Sequence, residues 1–519
     1  MKTRIKTNKL NAASSMSIRD FIKAGWRANL LAAIAGAVVP LAFAPFDLFP
    51  LALLAPALLF LLWLDVSAKS AFRRGYLFGV GMFGFGVPWV YVSMSQFGGV
   101  ALPLAVFLTA LFILFLALFP ALVGYVFARF FSSSSERVKL LVVLPVLWTL
   151  VEWVRGWIFT GFPWLALGYS QIDSPLHGYG SLLGVYGISW LTVLGAGLLA
   201  YIVRHKSAWQ VSLPALLAIF ALGWLLSGIH WTNPKGAPVR VALLQGNISQ
   251  DQKWRPEMRQ PTIDLYVDMT RANWDSDIIV WPETALPAFL HQAETFLAQL
   301  GEEARKHHTD LLIGIPVMDS KNGNYYNSVV SVGSKEAVYK KTHLVPFGEF
   351  IPFQSILGNV LEVLNVPLPD FSKPDSKQPL LSVAGHKVGM SICYEDVFGE
   401  EVIDEMPEAS MLVNVSNDAW FGKSVAPHQH MQIARMRALE TGRPLLRDTN
   451  TGVTAIIEPD GSLQATLPQF EAAALTGVVQ PMVGMTPYAR VGNWLIVSLL
   501  FIMAIGSYLT AQLQHRKDS

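Results

Sequence analysis

The chain has 519 residues, 52% of them apolar and only 15% charged, with 39 Lys and Arg against 37 Asp and Glu. Soluble domains carry roughly 25% charged residues, so this balance excludes an ordinary water-soluble protein, and so apolar and aromatic a chain is not disordered. Its single cysteine, Cys393, excludes an internal disulfide.

A helix needs about 20 mostly apolar residues to cross a bilayer, because unpaired backbone groups cannot sit in hydrocarbon. Apolar runs at Leu30–Ala44, Leu48–Leu64, Tyr76–Ser95, Ala101–Ala128, Leu140–Trp157, Leu182–Val203 and Val211–Ile229, then Gly492–Leu513, predict eight spans. Ala42-Phe43-Ala44 resembles a signal-peptidase site, but Pro45 follows it and the run starts far from Met1, so it reads as a retained anchor. Alternate connections carry 17 Lys and Arg, and the intervening short loops carry only Arg155. Basic residues accumulate on the cytoplasmic side, so both termini are expected inside and residues 231–490 outside. That segment holds 30 acidic and 21 basic residues, which argues against nucleic-acid binding. The expected organisation is a membrane domain at 1–230, an extracytoplasmic domain at 231–490, and a last span with its tail at 491–519.

From Pro238 the pattern changes to short β-branched strands alternating with amphipathic helices, which predicts an α/β domain with helices covering sheet faces. Strands are expected at Val239–Gln245, Asp277–Trp281, Leu311–Pro316, Asn327–Val332, Val338–Lys341, Lys387–Cys393, Ser410–Val415 and Val453–Glu458. Helices are expected at Pro256–Trp274, Ala288–His308 and His428–Thr441. The apolar run from Val345 to Pro367, with Phe347, Phe350 and Phe353, rests on lipid, closes over a site or packs into its own core.

Three strand ends carry titratable groups. Glu283 follows Trp281-Pro282, a lysine pair lies in Tyr339-Lys340-Lys341-Thr342-His343-Leu344, and Cys393 precedes Tyr394, Glu395 and Asp396. A lone cysteine after an apolar strand is either a core thiol or a nucleophile. As a nucleophile beside carboxylates it needs a cation and a base, because the carboxylates raise its pKa.

These segments resemble the three catalytic motifs of the nitrilase/amidase superfamily, whose members use a Glu-Lys-Cys triad on an α-β-β-α sandwich. Leu344-Val345-Pro346-Phe347-Gly348-Glu349-Phe350, Asn414-Val415-Ser416-Asn417-Asp418-Ala419-Trp420-Phe421-Gly422 and Phe162-Pro163-Trp164-Leu165-Ala166-Leu167-Gly168-Tyr169-Ser170-Gln171 narrow the resemblance to the apolipoprotein N-acyltransferases. It implies a nitrilase-like domain inserted between spans seven and eight, on the periplasmic side of a bacterial cytoplasmic (inner) membrane. The triad is then Glu283, Lys341 and Cys393, the family pattern selecting Lys341 over Lys340. The implied partners are a phospholipid acyl donor, a diacylated apolipoprotein acceptor and membrane lipids, with no cofactor, and a monomer is expected because one chain supplies the triad.

In this reading an acyl-thioester forms on Cys393, Glu283 is the base, and Lys341 with the Tyr394 N–H stabilises the oxyanion. Glu349 and Glu395 position Lys341 and the base. Trp420 and Phe421 are candidate gate residues with the Val345–Pro367 arm, and Trp254 helps shape substrate access. His428-Gln429-His430 lacks partners for a zinc set, so no metal is expected. Glu152 and Arg155 either contact a lipid headgroup or simply flank anchoring tryptophans. The rival functions are a membrane-tethered amidase and a non-enzymatic lipoprotein chaperone.

Overall fold

A computed structural model describes residues 25–320, 323–351 and 371–518. Among these, five helices are long and apolar enough to cross a bilayer: Gly25–Ala42, Leu102–Phe130, Pro175–Arg204, Lys206–Ser227 and Trp494–Leu513. A sixth crossing is available if Ala68–Gly86 and Val90–Phe97, which meet at 54°, act as one bent span. The two remaining expected spans differ from their apolar runs. Leu51–Trp63 is a helix of only 13 residues, about 20 Å at 1.5 Å per residue. The run from Leu140 divides into a π-turn at Lys139–Val143 and the helix Leu144–Arg155.

Small residues let the membrane helices approach closely. A side chain at Gly36 would run into the backbone of Phe78, and one at Gly79 into Ala117 and Pro120. Glu152 and Arg155 are both buried, which corrects the lipid-contact reading. Glu152 accepts hydrogen bonds from the Trp148 indole at 2.8 Å and the Leu167 N–H at 3.1 Å. Arg155 donates to the carbonyls of Phe162 and Trp164 at 2.6 and 2.5 Å. Together they hold the irregular Phe162–Gln171 segment against its helix.

All strands of the α/β portion lie between the helices Trp209–Ser227 and Trp494–Asp518. Thr232–Pro234 with Met482–Gly484 and Val317–Met318 with Tyr325–Tyr326 form two short pairs, and the other twelve described strands form two six-stranded sheets. One runs in the order Ala473–Val479, Val239–Gln245, Ile278–Trp281, Asp310–Gly314, Ser328–Val332, Ala337–Lys340. The other runs Leu463–Thr466, Ala455–Ile457, Leu445–Thr449, Met411–Ser416, His386–Ile392, Leu381–Val383. Each has three parallel strands at its centre. Val241, Val280 and Leu312 of the first sheet share one apolar core with Val388, Val413 and Leu446 of the second, so the sheets face each other. The outer face of the first packs on Pro256–Arg271 and Leu290–Lys306, and that of the second on Ala426–Thr441. This is an α-β-β-α sandwich.

Ala426–Thr441 is buried almost all round. Met431, Ala434 and Ala438 face the sheet, while Ile433, Met436 and Leu439 join the core of the membrane helices. Polar links reinforce this seam: Gln429 Oε1 accepts from the indoles of Trp89 and Trp164 at 3.2 and 3.0 Å, and Arg435 pairs with Asp173 at 2.6 Å.

The packing yields a paired prediction. Gly36→Val is expected to lower the thermal midpoint of the detergent-solubilised protein, consistent with an overpacking penalty of about 1–3 kcal/mol. Gly84→Val, whose new methyls enter open space, is expected to leave it nearly unchanged.

Candidate active site

The parallel strands of both sheets end on the same side of the sandwich, and their ends meet across the sheet interface. Glu283 lies two residues past Ile278–Trp281, Cys393 directly follows His386–Ile392, and Asn417 directly follows Met411–Ser416. The Asn417 N–H donates to Glu283 Oε2 at 2.8 Å, joining one sheet to the other. Lys341 follows Ala337–Lys340, whose end pairs with the start of Ser328–Val332 and so reaches the same edge. Cys393 has a left-handed φ of 52° and Thr284 one of 51°. For non-glycine residues that conformation costs about 1–2 kcal/mol, and here it turns the chain sharply out of each strand.

Lys341 is 1% exposed. Its ammonium lies 2.8 Å from Glu349 Oε2 and 4.0 Å from Glu283 Oε1. Burial alone would lower its pKa, but the carboxylates of Glu349 and Glu283 outweigh burial and push it up, so the ammonium persists. Asn327 bridges the two carboxylates, donating to Glu283 Oε1 at 2.6 Å and Glu349 Oε1 at 3.2 Å. Glu395 is also buried but meets neither charge directly. It accepts from the N–H groups of Ile392, Thr342 and His343 and from the Thr342 and Tyr339 hydroxyls, tying the Lys341 segment to the cysteine turn.

Cys393 keeps partial solvent access, yet enough protein surrounds its sulfur that desolvation is the largest influence on it. Desolvation and the Glu283 carboxylate push the thiol well up, and Lys341 pulls it back only in part. The resting sulfur is therefore a thiol that needs a base during attack. Asn414 donates to the Cys393 carbonyl at 3.2 Å and accepts from Arg447 at 2.7 Å. Arg447 pairs with Asp396 and Asp418, and His430 lies between the same two carboxylates. His430 thus belongs to a buried ion network behind the cysteine turn, while His428 lies outside that network.

Tyr394, beside the cysteine, donates its hydroxyl to the Gly161 carbonyl at 2.8 Å and stacks on Trp164 at 6.1 Å. Trp254 is 54% exposed and Phe347 56% exposed, whereas Phe350 is half-buried. Trp420 and Phe421 touch membrane helices rather than the sandwich core: Trp420 meets Phe97 at 6.1 Å and Phe421 meets Trp89 at 4.9 Å. The arm from residue 352 to 367, Phe353 included, lies outside the described residues.

Sequence reasoning missed Lys253, Asn327, Asn414 and the arginine–aspartate network. Lys253 is 3% exposed and donates to the Glu283 carbonyl at 3.1 Å. Its position beside Trp254 in a polar loop resembled an ordinary solvated charge. Only the partner, brought close by the fold, distinguishes it.

Two expectations follow. Burial lowers the Lys253 pKa to about 8 although Glu283 partly opposes this. A lysine depressed in the folded state loses stability when charged, so the penalty is fully present below pH 8 and fades between pH 8 and 10.5. The shift corresponds to about 3 kcal/mol at pH 7. Lys253→Met should therefore raise the thermal midpoint at pH 7, by less as pH approaches 10, while lowering activity. Alkylation of Cys393 by iodoacetamide should be slow near neutral pH and still be rising above pH 9, followed by intact mass.

Residues 35–198 match the family described as apolipoprotein N-acyltransferase N-terminal domain, and residues 240–488 match carbon-nitrogen hydrolase. An apolipoprotein N-acyltransferase of Methylococcus capsulatus is 50% identical over 476 residues, covering 91% of this chain and 94% of that protein. One of Nitrosomonas europaea is 46% identical over 495 residues, covering 94% and 99%. Among solved structures, a carbon-nitrogen hydrolase from Helicobacter pylori G27 covers 47% of this chain and 89% of its own, at 16% identity and a TM-score of 0.36. With near-complete matches at such identity, the chain belongs to the apolipoprotein N-acyltransferase family.

Proposed function

We propose that the protein is a membrane-bound N-acyltransferase that moves a fatty acyl chain from a phospholipid to the N-terminal amine of diacylglyceryl-cysteine in apolipoproteins, the last step of lipoprotein maturation. The observation that carries this reading is a buried ammonium, Lys341, held by Glu283 and Glu349 beside a desolvated cysteine, in a domain docked onto membrane helices.

Glu283 takes the thiol proton as Cys393 attacks the ester carbonyl of the donor. Lys341 and the Tyr394 N–H stabilise the tetrahedral oxyanion. The C–O bond then breaks, the departing oxygen takes the proton from Glu283, and a lysophospholipid leaves an acyl-thioester on Cys393. The acceptor amine attacks that thioester, passes a proton to Glu283, and the C–S bond breaks to give the amide. The thiolate finally recovers the proton. Two displacements through one covalent intermediate imply ping-pong kinetics. Glu349 fixes the ammonium, and Glu395 fixes the segment carrying it. Trp254, Phe347, Phe350, Phe353, Trp420 and Phe421 are the aromatic groups in this reading that shield the thioester from water and contact acyl chains.

The topology inferred with it has eight crossings, both termini in the cytoplasm, and the domain of residues 231–490 on the periplasmic face of the inner membrane. Leu51–Trp63 and Leu144–Arg155 would supply the two short crossings. A single chain carries the whole cluster, which favours a monomer. A small-amide hydrolase would share the chemistry but leave the membrane helices and their seam with the catalytic domain unused.

Incubation with a phospholipid carrying a radiolabelled acyl chain should add about one acyl mass to wild-type protein, and a diacylated lipopeptide should discharge it as an amide. Cys393→Ala should show neither adduct nor product. Lys341→Ala should lower turnover by at least about a hundredfold, since one oxyanion donor is worth about 3 kcal/mol. Free fatty acid as the sole product, or full activity in Cys393→Ala, would exclude the assignment.

A further inference from the structure

A cavity of about 180 Å³ lies where the membrane helices meet the catalytic domain, and none of Glu283, Lys341 and Cys393 lines it. Its walls include Trp153 and Trp157 at the end of one membrane helix, Asn493 just before the terminal helix Trp494–Asp518, and Phe398 and Glu400 of the catalytic domain. Drug-sized sites run to roughly 300 Å³ and above, so this one suits a small polar fragment.

Its polar groups describe that fragment. Arg437 lines the cavity and is 1% exposed, and its charge is matched by Glu440 at 2.9 Å. Its Nε has no hydrogen-bond partner among the described residues, and neither does the buried hydroxyl of Thr160 on the same cavity. Leaving a buried donor unpaired is costly, so both call for acceptor oxygens. A bare anion would nevertheless be repelled. Glu401 lies 2.7 Å from His343 Nδ1, while Glu400, also on the wall, is exposed and without an ion pair among the described residues. Beside Trp157 and Phe398, that carboxylate suits an ammonium, which aromatic faces also attract. Acceptor oxygens and an ammonium in one small fragment describe a zwitterionic headgroup.

The surroundings identify the source as a lipid. Trp157 is 55% exposed and Trp494, next to Asn493, is 70% exposed. Exposed tryptophans at the ends of membrane helices mark the headgroup level of a bilayer. We propose that this cavity is a headgroup site for an ammonium-bearing zwitterionic phospholipid, separate from the acyl-transfer centre. The phosphate oxygens sit toward Arg437 and Thr160 and the ammonium toward Glu400. The site adds a lipid contact at the seam between the two parts of the chain, and it does not depend on any acyl transfer taking place.

The test uses full-length Cys393→Ala, so that no lipid is consumed, in native mass spectrometry with phosphatidylethanolamine or phosphatidylglycerol of the same chains. Phosphatidylethanolamine should be retained preferentially, by about tenfold, the equivalent of about 1.4 kcal/mol. Glu400→Gln should largely abolish the preference and Glu400→Lys should reverse it. Glu400 is exposed, so neither change strains the core, and a thermal midpoint close to that of the parent verifies folding. Equal retention of the two lipids, or a preference that survives Glu400→Lys, overturns the proposal. Binding of glycerophosphoethanolamine without retention of the lipid overturns the lipid assignment.

Discussion

A positive charge buried inside a protein must be paired, and the Lys341 ammonium is the charge around which the catalytic domain is organised. At 1% exposure it has almost no water to rely on. Glu349 and Glu283 supply the compensation, and Asn327 fixes the two carboxylates relative to each other. Those carboxylates must in turn come from fixed backbone, which explains why the residues sit at strand ends and why Glu395 spends its acceptors on N–H groups of two different segments. Removing one partner would leave an uncompensated charge, and breaking a buried pair in that way commonly costs 3–5 kcal/mol, about as much as one oxyanion donor contributes to a barrier. Geometry and stability are therefore set by the same few contacts.

The membrane helices are part of this support rather than a passive anchor. Ala426–Thr441 is covered by sheet on one side and membrane helices on the other. His430 on that helix belongs to the ion network that, through Arg447 and Asn414, reaches the Cys393 carbonyl. Trp164, held by Arg155, stacks on Tyr394 and meets the His430 ring at a tilt, with centroids 5.6 Å apart. A displacement of the Phe162–Gln171 segment would thus be felt at the cysteine turn within two contacts. This coupling gives the aromatic and small residues of the segment a structural role at the site.

How much of this was legible depended on whether a residue's partner is local. Glu283, the Lys340–Lys341 pair and Cys393 stood out because each follows a short apolar strand, a pattern visible in a few consecutive residues. Lys253 reaches Glu283 30 residues on, Asn327 reaches Glu349 22 residues on and Asn414 reaches the Cys393 carbonyl 21 residues back, and no local pattern announces these contacts. The strand Leu445–Thr449 went unseen because Arg447 and Asp448 look like surface residues, yet both are fully buried. Hydropathy located apolar helices but not their bends. The 54° break at Gly86–Val90 and the π-turn before Leu144 are consequences of packing, as are the internal partners of Glu152 and Arg155.

The raised thiol pKa bears on why transfer would prevail over hydrolysis in the proposed reaction. A cysteine that rests as a thiol does not react with passing electrophiles, and with Glu283 as the proposed base it becomes nucleophilic only when that carboxylate can accept its proton and a carbonyl is in place. Once the thioester has formed, water and the acceptor amine compete for the same carbonyl and the same base. Desolvation acts against water directly. It also favours an attacking group delivered by a lipid anchor, because that amine reaches the site by sliding along the bilayer rather than by leaving solvent. The position of the strand ends against the membrane helices is then as much a part of selectivity as the chemistry of the cluster itself.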